Sequence, residues 1–222
     1  MFARSEFQSF SASARIRSSS VLSPALARPG GNATGANYFV SELAPKQLDV
    51  LPELVPAAAR IALLVNPASA TAELITTDVM AASAAIGVQI DAVHASSSRE
   101  IEAAFATLVR NKAEALLVGG DSFFFSRRLQ LATLATRHAT PAVYSVREYA
   151  EPGGLMSYGT SLTEVYRQLG VYAGRILKRA KPTELPVVQS TKFELVVNLP
   201  TANALGIEIP ATLLARADEV IE

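Results

Sequence analysis

Residues 60–67 read RIALLVNP, and this stretch decides the fold. Its centre, IALLV (61–65), is a continuous aliphatic run bounded by Arg60 on one side and by Asn66 and Pro67 on the other. A run that is apolar on both faces is typical of a strand buried inside a parallel sheet, because strands of a half-exposed antiparallel sheet alternate apolar and polar residues. The sequence therefore predicts a parallel sheet that is covered by helices.

Strand-like and helix-like segments alternate along the chain on either side of this run. Further strands are predicted at VQIDAVH (88–94), ALLVGG (115–120) and PAVYS (141–145), and helices near 41–55, 71–86, 97–109, 124–138 and 162–177. Two helix starts have the spacing of a capping box, Ser97 with Glu100 and Ser161 with Glu164. The alternation predicts an α/β fold with a doubly wound parallel sheet, whose right-handed crossovers bring the carboxyl ends of the strands to one edge.

The composition excludes several kinds of site. Lys and Arg together number 20, as do Asp and Glu, so the formal net charge is zero and no general attraction to nucleic acid or to an anionic membrane is expected. Cysteine is absent, which excludes disulfides, thiolate metal ligands and a cysteine nucleophile. His94 and His138 are the only histidines and are expected to be structural, so no metal site is predicted. No apolar stretch approaches the roughly 18 residues of a membrane span.

No catalytic or nucleotide-binding motif is found in the sequence. The window GGNATG (30–35) has the glycine spacing of a P-loop, but Ala36 and Asn37 stand where Lys and Ser or Thr are required. The patterns G-x-G-x-x-G, G-x-S-x-G and H-E-x-x-H are absent as well. We therefore predict no catalytic residues and no cofactor. An enzyme on the same kind of sheet is an alternative, although no acid, base and nucleophile set supports it.

Polar and aromatic side chains follow the predicted strands at their carboxyl ends, where open α/β sheets bind ligands. Asp121 precedes the aromatic run 123–125, so it could pair with a ligand ammonium beside an aromatic wall, or it could cap the next helix. Asn66 has an amide suited to ligand binding, but Asn-Pro is also an ordinary turn. Tyr144 and Tyr158 lie at strand ends, where their side chains either reach into a cleft or pack.

Five stretches of the chain, taken together, resemble one protein family. They are LARPGGNATG (26–35), ELVPAAARIALLVNP (53–67), EALLVGGDSFFFSRRLQLATLATRHATPAVYSVREYAEPGGLMSYG (114–159), GVYAGRILKRAKPTELPVVQSTKFELVVNL (170–199) and ALGIEIPATLLARADEVIE (204–222). Over about residues 21–222 the sequence resembles the ABC transporter substrate-binding proteins that include tryptophan- and tyrosine-type amino-acid binders. Members of that family are exported proteins with the type I periplasmic binding protein fold, in which two similar α/β lobes close on a small ligand.

The resemblance implies a division of the chain into parts. Residues 41–180 correspond to the second lobe with a helix that returns toward the first, and residues 21–40 with 181–222 correspond to a remnant of the first lobe and its crossover. Residues 1–20, rich in serine and arginine, are expected to be a disordered or non-native lead without a clear signal peptide. About a hundred residues of the first lobe have no counterpart. The expected architecture is therefore one nearly complete lobe plus part of a second, in a chain truncated at its N-terminus.

The resemblance also implies ligand contacts on both sides of a cleft. The expected contacts are Asn32 and Thr34 on the first-lobe side and Asn66, Asp121 and Tyr144 on the second, with Phe123 and Tyr158 as further candidates. In this hypothesis Asp121 pairs with a ligand ammonium and Thr34 takes a carboxylate. Tyr144 or Phe123 then lies along the apolar part of the ligand.

The implied function is that of the solute-binding component of an ABC-type uptake system. It would bind a small molecule, such as an amino acid, and act with the transporter permease in the periplasm or elsewhere outside the cytoplasm. The expected truncation and the missing signal leave open a non-functional or cytoplasmic product. The effector-sensing core of a transcription regulator is a further alternative, but it would require a helix-turn-helix, for which residues 1–20 are too short and irregular.

Overall fold

The computed structural model describes residues 34–37, 40–189 and 192–222. The chain divides into two compact units. The larger unit consists of Val40–Thr160 together with Phe193–Glu222, and the described part of the smaller consists of residues 34–37, 161–189 and Lys192. The lead expected over residues 1–20 lies outside the described residues.

Helices and strands alternate through most of the described chain. In chain order it contains β1 (Ala36–Asn37), α1 (Val40–Leu54), β2 (Arg60–Val65), α2 (Ala72–Ile86), β3 (Gln89–His94), α3 (Ser98–Arg110), β4 (Ala115–Val118), α4 (Ser122–Ser126), α5 (Arg128–Arg137) and β5 (Ala142–Tyr144). It continues with β6 (Met156–Thr160), α6 (Leu162–Leu177), β7 (Val188–Gln189), β8 (Phe193–Asn198), α7 (Leu199–Leu205), α8 (Ala211–Leu214) and β9 (Glu219–Ile221). Two 3-10 turns cover Arg147–Tyr149 and Pro182–Glu184.

The larger unit is built on a seven-stranded sheet with the strand order β3-β2-β4-β5-β6-β8-β9. The first five strands are parallel, as predicted, and Ile61 on β2 pairs with Ile90 on β3 and with Ala115 on β4. Strand β8 is antiparallel to β6, and β9 is parallel to β8. The sheet is therefore mixed but mostly parallel, which confirms the predicted α/β class.

The aliphatic run at residues 61–65 is part of the hydrophobic core. Ile61, Leu63 and Val65 of β2 belong to the main buried cluster, together with leucines of α1 and with aliphatic residues of α2. Leu64 is fully buried although it alternates with these residues along the strand. Both faces of β2 are therefore covered by other elements, as the continuous apolar pattern predicts.

The capping box at Ser97 forms as predicted. Ser97 Oγ accepts a hydrogen bond from the main-chain N–H of Glu100 at 3.2 Å. The carboxylate of Glu100 in turn accepts the N–H of Ser96 at 2.7 Å and its hydroxyl at 2.8 Å. These hydrogen bonds favour the ionised carboxylate, so they lower the pKa of Glu100.

Two predictions about helices are wrong. Ser161 forms no side-chain cap on α6, and the carboxylate of Glu164 pairs with Arg167, whose Nε donates at 2.8 Å, instead of reaching back. The helix predicted over 124–138 consists of two helices, α4 and α5, and Arg127 lies between them with backbone angles that belong to neither.

The division of the chain differs from the one that we expected. Residues 181–222 were expected to group with residues 21–40, but Phe193–Glu222 belong to the larger unit. The reason is strand pairing, since β8 runs antiparallel to β6 over five residue pairs, from Met156↔Val197 to Thr160↔Phe193. Helix α6, which was expected to belong with residues 41–180, lies in the smaller unit.

The smaller unit contains α6 and a short pair of parallel strands. Ala36 on β1 pairs with Val188 on β7. Tyr172 of α6 is buried, and its hydroxyl donates a hydrogen bond to the carbonyl oxygen of Pro186 at 2.7 Å. This contact fixes α6 against the segment that leads into β7.

None of the helices in the described ranges combines the length and the apolar character that crossing a bilayer requires.

Candidate functional site

Three neighbouring strands, β2, β4 and β5, end at the same edge of the parallel sheet. Asn66 directly follows β2, Asp121 follows β4 after two glycines, and Tyr144 is the last residue of β5. The structure brings the first two together, because the Asn66 side-chain amide donates from Nδ2 to Asp121 Oδ1 at 3.0 Å. This is the edge at which open α/β sheets bind ligands.

Asp121 occupies the capping position that the sequence left open. Its Oδ1 accepts the main-chain N–H of Phe123 at 2.9 Å and that of Phe124 at 3.2 Å, so Asp121 is the N-cap of α4. With the bond from Asn66, three N–H groups point at one carboxylate oxygen. The other oxygen, Oδ2, accepts no hydrogen bond from the described residues. The cap uses Oδ1 alone, so it leaves Oδ2 for the predicted contact with a ligand.

Asn66 is held from two sides. Its Oδ1 accepts the main-chain N–H of Ala68 at 3.0 Å, which closes a turn after β2, while Nδ2 faces Asp121. The side chain is largely buried, with 8% of the residue exposed. The turn alternative is therefore present, and Asn66 in addition contacts Asp121, the residue predicted to pair with a ligand ammonium.

Tyr144 stacks against a second tyrosine, Tyr149, which was not predicted as a site residue. The rings of Tyr144 and Tyr149 are stacked with centroids 4.7 Å apart, and Phe125 meets Tyr149 edge-on at 6.2 Å. Tyr144 has no exposed surface, and its hydroxyl has no hydrogen-bond partner within the described residues. Burial strongly raises the pKa of the Tyr144 hydroxyl. Tyr144 thus offers no exposed wall to a ligand in this structure.

Tyr149 is close enough to Asp121 to be influenced by its charge. Burial raises the pKa of Tyr149 well above its ordinary value, and the neighbouring Tyr144 and the carboxylate of Asp121 raise it further. The sequence held one signal for this residue, a tyrosine five positions after Tyr144 in the segment that follows β5. Nothing in that pattern indicated that the two rings stack.

Phe123 is half-buried, and its main-chain N–H donates a hydrogen bond to Asp121. Its ring lies 5.7 Å from that of Phe124, and the guanidinium of Arg127 is 5.9 Å from its centroid. A second arginine, Arg128, stands over Phe125 at 5.1 Å. The aromatic run that was predicted to form a wall therefore contributes Phe123 at the site and Phe124 to the core.

Tyr158 packs within the larger unit. Its ring contacts the main hydrophobic cluster and lies 6.3 Å from Phe193. Its carbonyl oxygen accepts a hydrogen bond at 2.7 Å from Gln47, which also donates to the carbonyl oxygen of Tyr144 at 3.2 Å. These contacts correspond to the packing alternative for Tyr158.

The two residues expected on the first-lobe side are Asn32 and Thr34, and neither is among the described residues of the larger unit, which contains this edge of the sheet. Thr34 is buried in the smaller unit, where its hydroxyl donates to the carbonyl oxygen of Leu185 at 2.7 Å. Asn32 lies outside the described residues. Within the described ranges, no group of three His, Asp or Glu side chains is arranged to hold a metal ion.

Comparison with known proteins identifies the family. The sequence model of the ABC transporter substrate binding proteins matches residues 12–221. A search of curated protein sequences gave no match. A conserved domain protein from Vibrio cholerae is 25% identical with a TM-score of 0.77, and the match covers 88% of this chain and 65% of that one. The structure of an ABC domain in complex with L-Trp from Streptococcus pneumoniae is 26% identical with a TM-score of 0.76, with coverages of 88% and 67%.

A third structure supports the fold alone. It is a ligand-free, open substrate binding protein with adhesive properties from Clostridium difficile, 24% identical, with a TM-score of 0.64 and coverages of 88% of this chain and 65% of that one. The chain thus spans about two thirds of the length of the structures that it matches. Because the family match extends over nearly the whole sequence, the chain belongs to the ABC transporter substrate-binding protein family.

Proposed function

We propose that this protein is the solute-binding component of an ABC-type uptake system and that it binds a small molecule with an ammonium group, such as an amino acid, at Asp121. Membership of the family supports the solute-binding role. The observation that carries the site is the carboxylate of Asp121, which has one oxygen fixed by three N–H donors and the other without a partner in the described part of the chain. We propose no catalytic step.

The hydrogen bonds of Asp121 favour a cationic ligand. Three N–H groups directed at Oδ1 stabilise the negative charge of the carboxylate. No described cation lies within ion-pair distance of Asp121, so its charge is available for a ligand. In this half-buried position, a pair between the carboxylate and a ligand ammonium would be stronger than the same pair on an open surface.

The aromatic residue beside the carboxylate favours an amino acid with an apolar side chain. Phe123 is half-buried and next to Asp121, so its ring could lie along the apolar part of a ligand whose ammonium meets Oδ2. The similar structure from Streptococcus pneumoniae is a complex with L-Trp, which has both groups. Contacts from Asn32, Thr34, Tyr144 and Tyr158 stay predictions.

Two further properties follow from this role. A substrate-binding protein delivers its ligand to a permease, so we propose an ABC permease as the partner. Such delivery takes place outside the cytoplasm, and we propose an extracytoplasmic location. Neither nucleic acid nor a membrane span has a part in this function.

The ammonium can be tested with three related ligands in calorimetric titrations of the full chain. L-tryptophan has an ammonium and a carboxylate, tryptamine keeps only the ammonium, and indole-3-propionate keeps only the carboxylate. We expect tryptamine to retain measurable affinity and indole-3-propionate to bind at least about 10-fold more weakly than L-tryptophan, because a hydrogen bond to a charged group contributes about 1.5–3 kcal/mol.

The other outcomes separate the parts of the proposal. Equal affinities for L-tryptophan and indole-3-propionate would exclude the ammonium contact. If none of the three ligands binds, a panel of amino acids should be screened by thermal shift, because a ligand that binds only the folded state raises its stability. A panel without any shift would exclude an amino-acid ligand.

A further inference from the structure

We propose that Asn66 is a positioning residue, which affects ligand binding through Asp121 and does not contact the ligand itself. This inference rests on the proposed function, because it requires that Asp121 binds the ligand. It reassigns Asn66, which the sequence alone suggested as a direct ligand contact.

The orientation of the Asn66 amide is determined by its neighbours. Oδ1 accepts the N–H of Ala68, and Nδ2 donates to the carboxylate of Asp121. Rotating the amide by half a turn would place its oxygen against the carboxylate and its NH₂ group against the Ala68 N–H, so both contacts would become repulsive. Each polar atom of Asn66 is thus engaged within the protein, in a residue that is largely buried.

The bond from Asn66 adds something that the cap of α4 does not supply. The N–H groups of Phe123 and Phe124 hold Oδ1 from within the segment to which Asp121 itself belongs. The third donor comes from the neighbouring strand β2. It fixes the plane of the carboxylate relative to the sheet, and with it the position of Oδ2. Supporting residues of this kind commonly change affinity without contacting the ligand.

The larger unit contains a matched control for this residue. Asn198 is the last residue of β8, as Asn66 is the first residue after β2. It is 4% exposed, and both polar atoms of its amide form hydrogen bonds. Its Oδ1 accepts the N–H of Thr201 at 2.9 Å, and its Nδ2 donates to the carbonyl oxygen of Ala150 at 2.9 Å. Because β8 is antiparallel to β6, Asn198 lies at the opposite edge of the sheet from Asn66. Replacing either residue by alanine removes comparable bonds, but only Asn66 contacts Asp121.

A double-mutant cycle with the full chain tests the inference. Affinity for L-tryptophan is measured by calorimetry, or by ligand-observed NMR where binding is weak, in the wild type, Asn66→Ala, Asp121→Asn and the double variant. We expect Asn66→Ala to weaken binding by about 10-fold in the wild-type background, the low end of the range for supporting residues. In the Asp121→Asn background it should change the affinity less than about 2-fold, because the charge that it positions is gone.

The control separates positioning from general damage to the fold. Asn198→Ala should lower the free energy of unfolding as much as Asn66→Ala does and leave the affinity for L-tryptophan unchanged. Equal losses of affinity in the two alanine variants, or a cycle in which the effects of Asn66→Ala and Asp121→Asn simply add, would overturn the inference while the proposed function stands. If the wild type binds another amino acid of the thermal-shift panel and not L-tryptophan, the cycle is measured with that amino acid. If Asp121→Asn itself leaves affinity unchanged, or if no amino acid of the panel binds the wild type, the proposed site fails and the inference fails with it.

Discussion

Strand β4 has a carboxylate at each end, and the two differ in what surrounds them. Glu114 directly precedes the strand, and its Oε2 accepts the main-chain N–H groups of Ala59 at 2.6 Å and Arg60 at 2.9 Å. Asp121 follows the strand, and its Oδ1 accepts the main-chain N–H groups of Phe123 and Phe124. In both side chains the second oxygen accepts no hydrogen bond from the described residues. The main-chain hydrogen bonding of the two groups is therefore alike.

The environment of that second oxygen separates the two ends. Glu114 is exposed to water, and its main-chain bonds together with the charge of Arg60 lower its pKa. Asp121 is half-buried and hydrogen-bonded to Asn66, with no described cation in ion-pair distance. Main-chain hydrogen bonds alone thus do not distinguish Glu114 from Asp121, for which we propose ligand binding. The two carboxylates differ in exposure, since Glu114 is exposed and Asp121 is half-buried.

The largest effect is expected from a glycine at the carboxyl ends of β5 and β6. A Cβ atom on Gly159 would lie 1.8 Å from the carbonyl oxygen of Ser145, so the backbone would have to move. We expect Gly159→Ala to lower the free energy of unfolding by at least about 3 kcal/mol, the upper range for overpacking. Chemical denaturation measures this value.

A glycine without close neighbours supplies the control. Gly170 lies within α6, and no atom stands within 4 Å of an added Cβ. Gly170→Ala should raise the free energy of unfolding by up to about 1 kcal/mol, because alanine favours helix. Similar losses in both variants would show that the carboxyl ends of the strands are no more tightly packed than an open helix.

Substitutions of Asp121 should separate its cap from its charge. Asp121→Ala removes the acceptor for two main-chain N–H groups and for Asn66, so the free energy of unfolding should fall by about 2 kcal/mol. Asp121→Asn keeps an acceptor oxygen in a residue that caps helices well, and the loss should stay below about 0.5 kcal/mol. If asparagine destabilises the protein as much as alanine, the charge and not the acceptor maintains the cap.

The smallest effect concerns the pH dependence of stability at two glutamates. Burial, followed by the charges of Glu151 and Glu194, raises the pKa of Glu148 above 4.5, so this group costs stability as the pH rises through its folded pKa. Glu148→Gln should therefore stabilise the protein at pH 7 relative to pH 4, by less than about 1 kcal/mol because the side chain is half-exposed.

Glu114 should show the opposite sign. Its lowered pKa contributes stability above the unfolded pKa that is lost as the pH falls through the folded pKa. Glu114→Gln should thus destabilise the protein at pH 7 and have less effect at the acid end of the range. Thermal melts of both variants between pH 3 and pH 8 check the two signs, and changes in the same direction would contradict the assigned environments.

Much of the fold could be predicted from local patterns, because buried positions require apolar residues at a spacing that the sequence shows directly. The aliphatic run at 61–65 predicted a strand covered on both faces, and Ser97 with Glu100 predicted the start of α3. Which distant strands pair with each other cannot be predicted from such local patterns. The segment around β8 was recognised as a strand, but nothing in its residues indicated β6 as its partner, and so the expected division of the chain differed from the observed one.

The candidate site could be predicted only as a set of alternatives. The sequence placed Asn66 and Asp121 at the carboxyl ends of strands, and the structure brings them into contact. The sequence could not separate capping from ligand binding at Asp121, because a carboxylate has two oxygens and the observed cap uses only one of them. The stacking of Tyr144 on Tyr149 could not be predicted, because it depends on the path of the chain between β5 and β6.

The most direct test compares the two ends of β4 in one titration. L-tryptophan is titrated calorimetrically into the wild-type chain and into the variants Asp121→Asn and Glu114→Gln. Each variant removes one negative charge and keeps a hydrogen-bond acceptor. We expect Glu114→Gln to bind L-tryptophan as tightly as the wild type and Asp121→Asn to lose affinity by roughly 10- to 150-fold, which corresponds to a hydrogen bond to a charged group. An unchanged affinity in Asp121→Asn, or equal losses in both variants, would contradict the proposed role of Asp121.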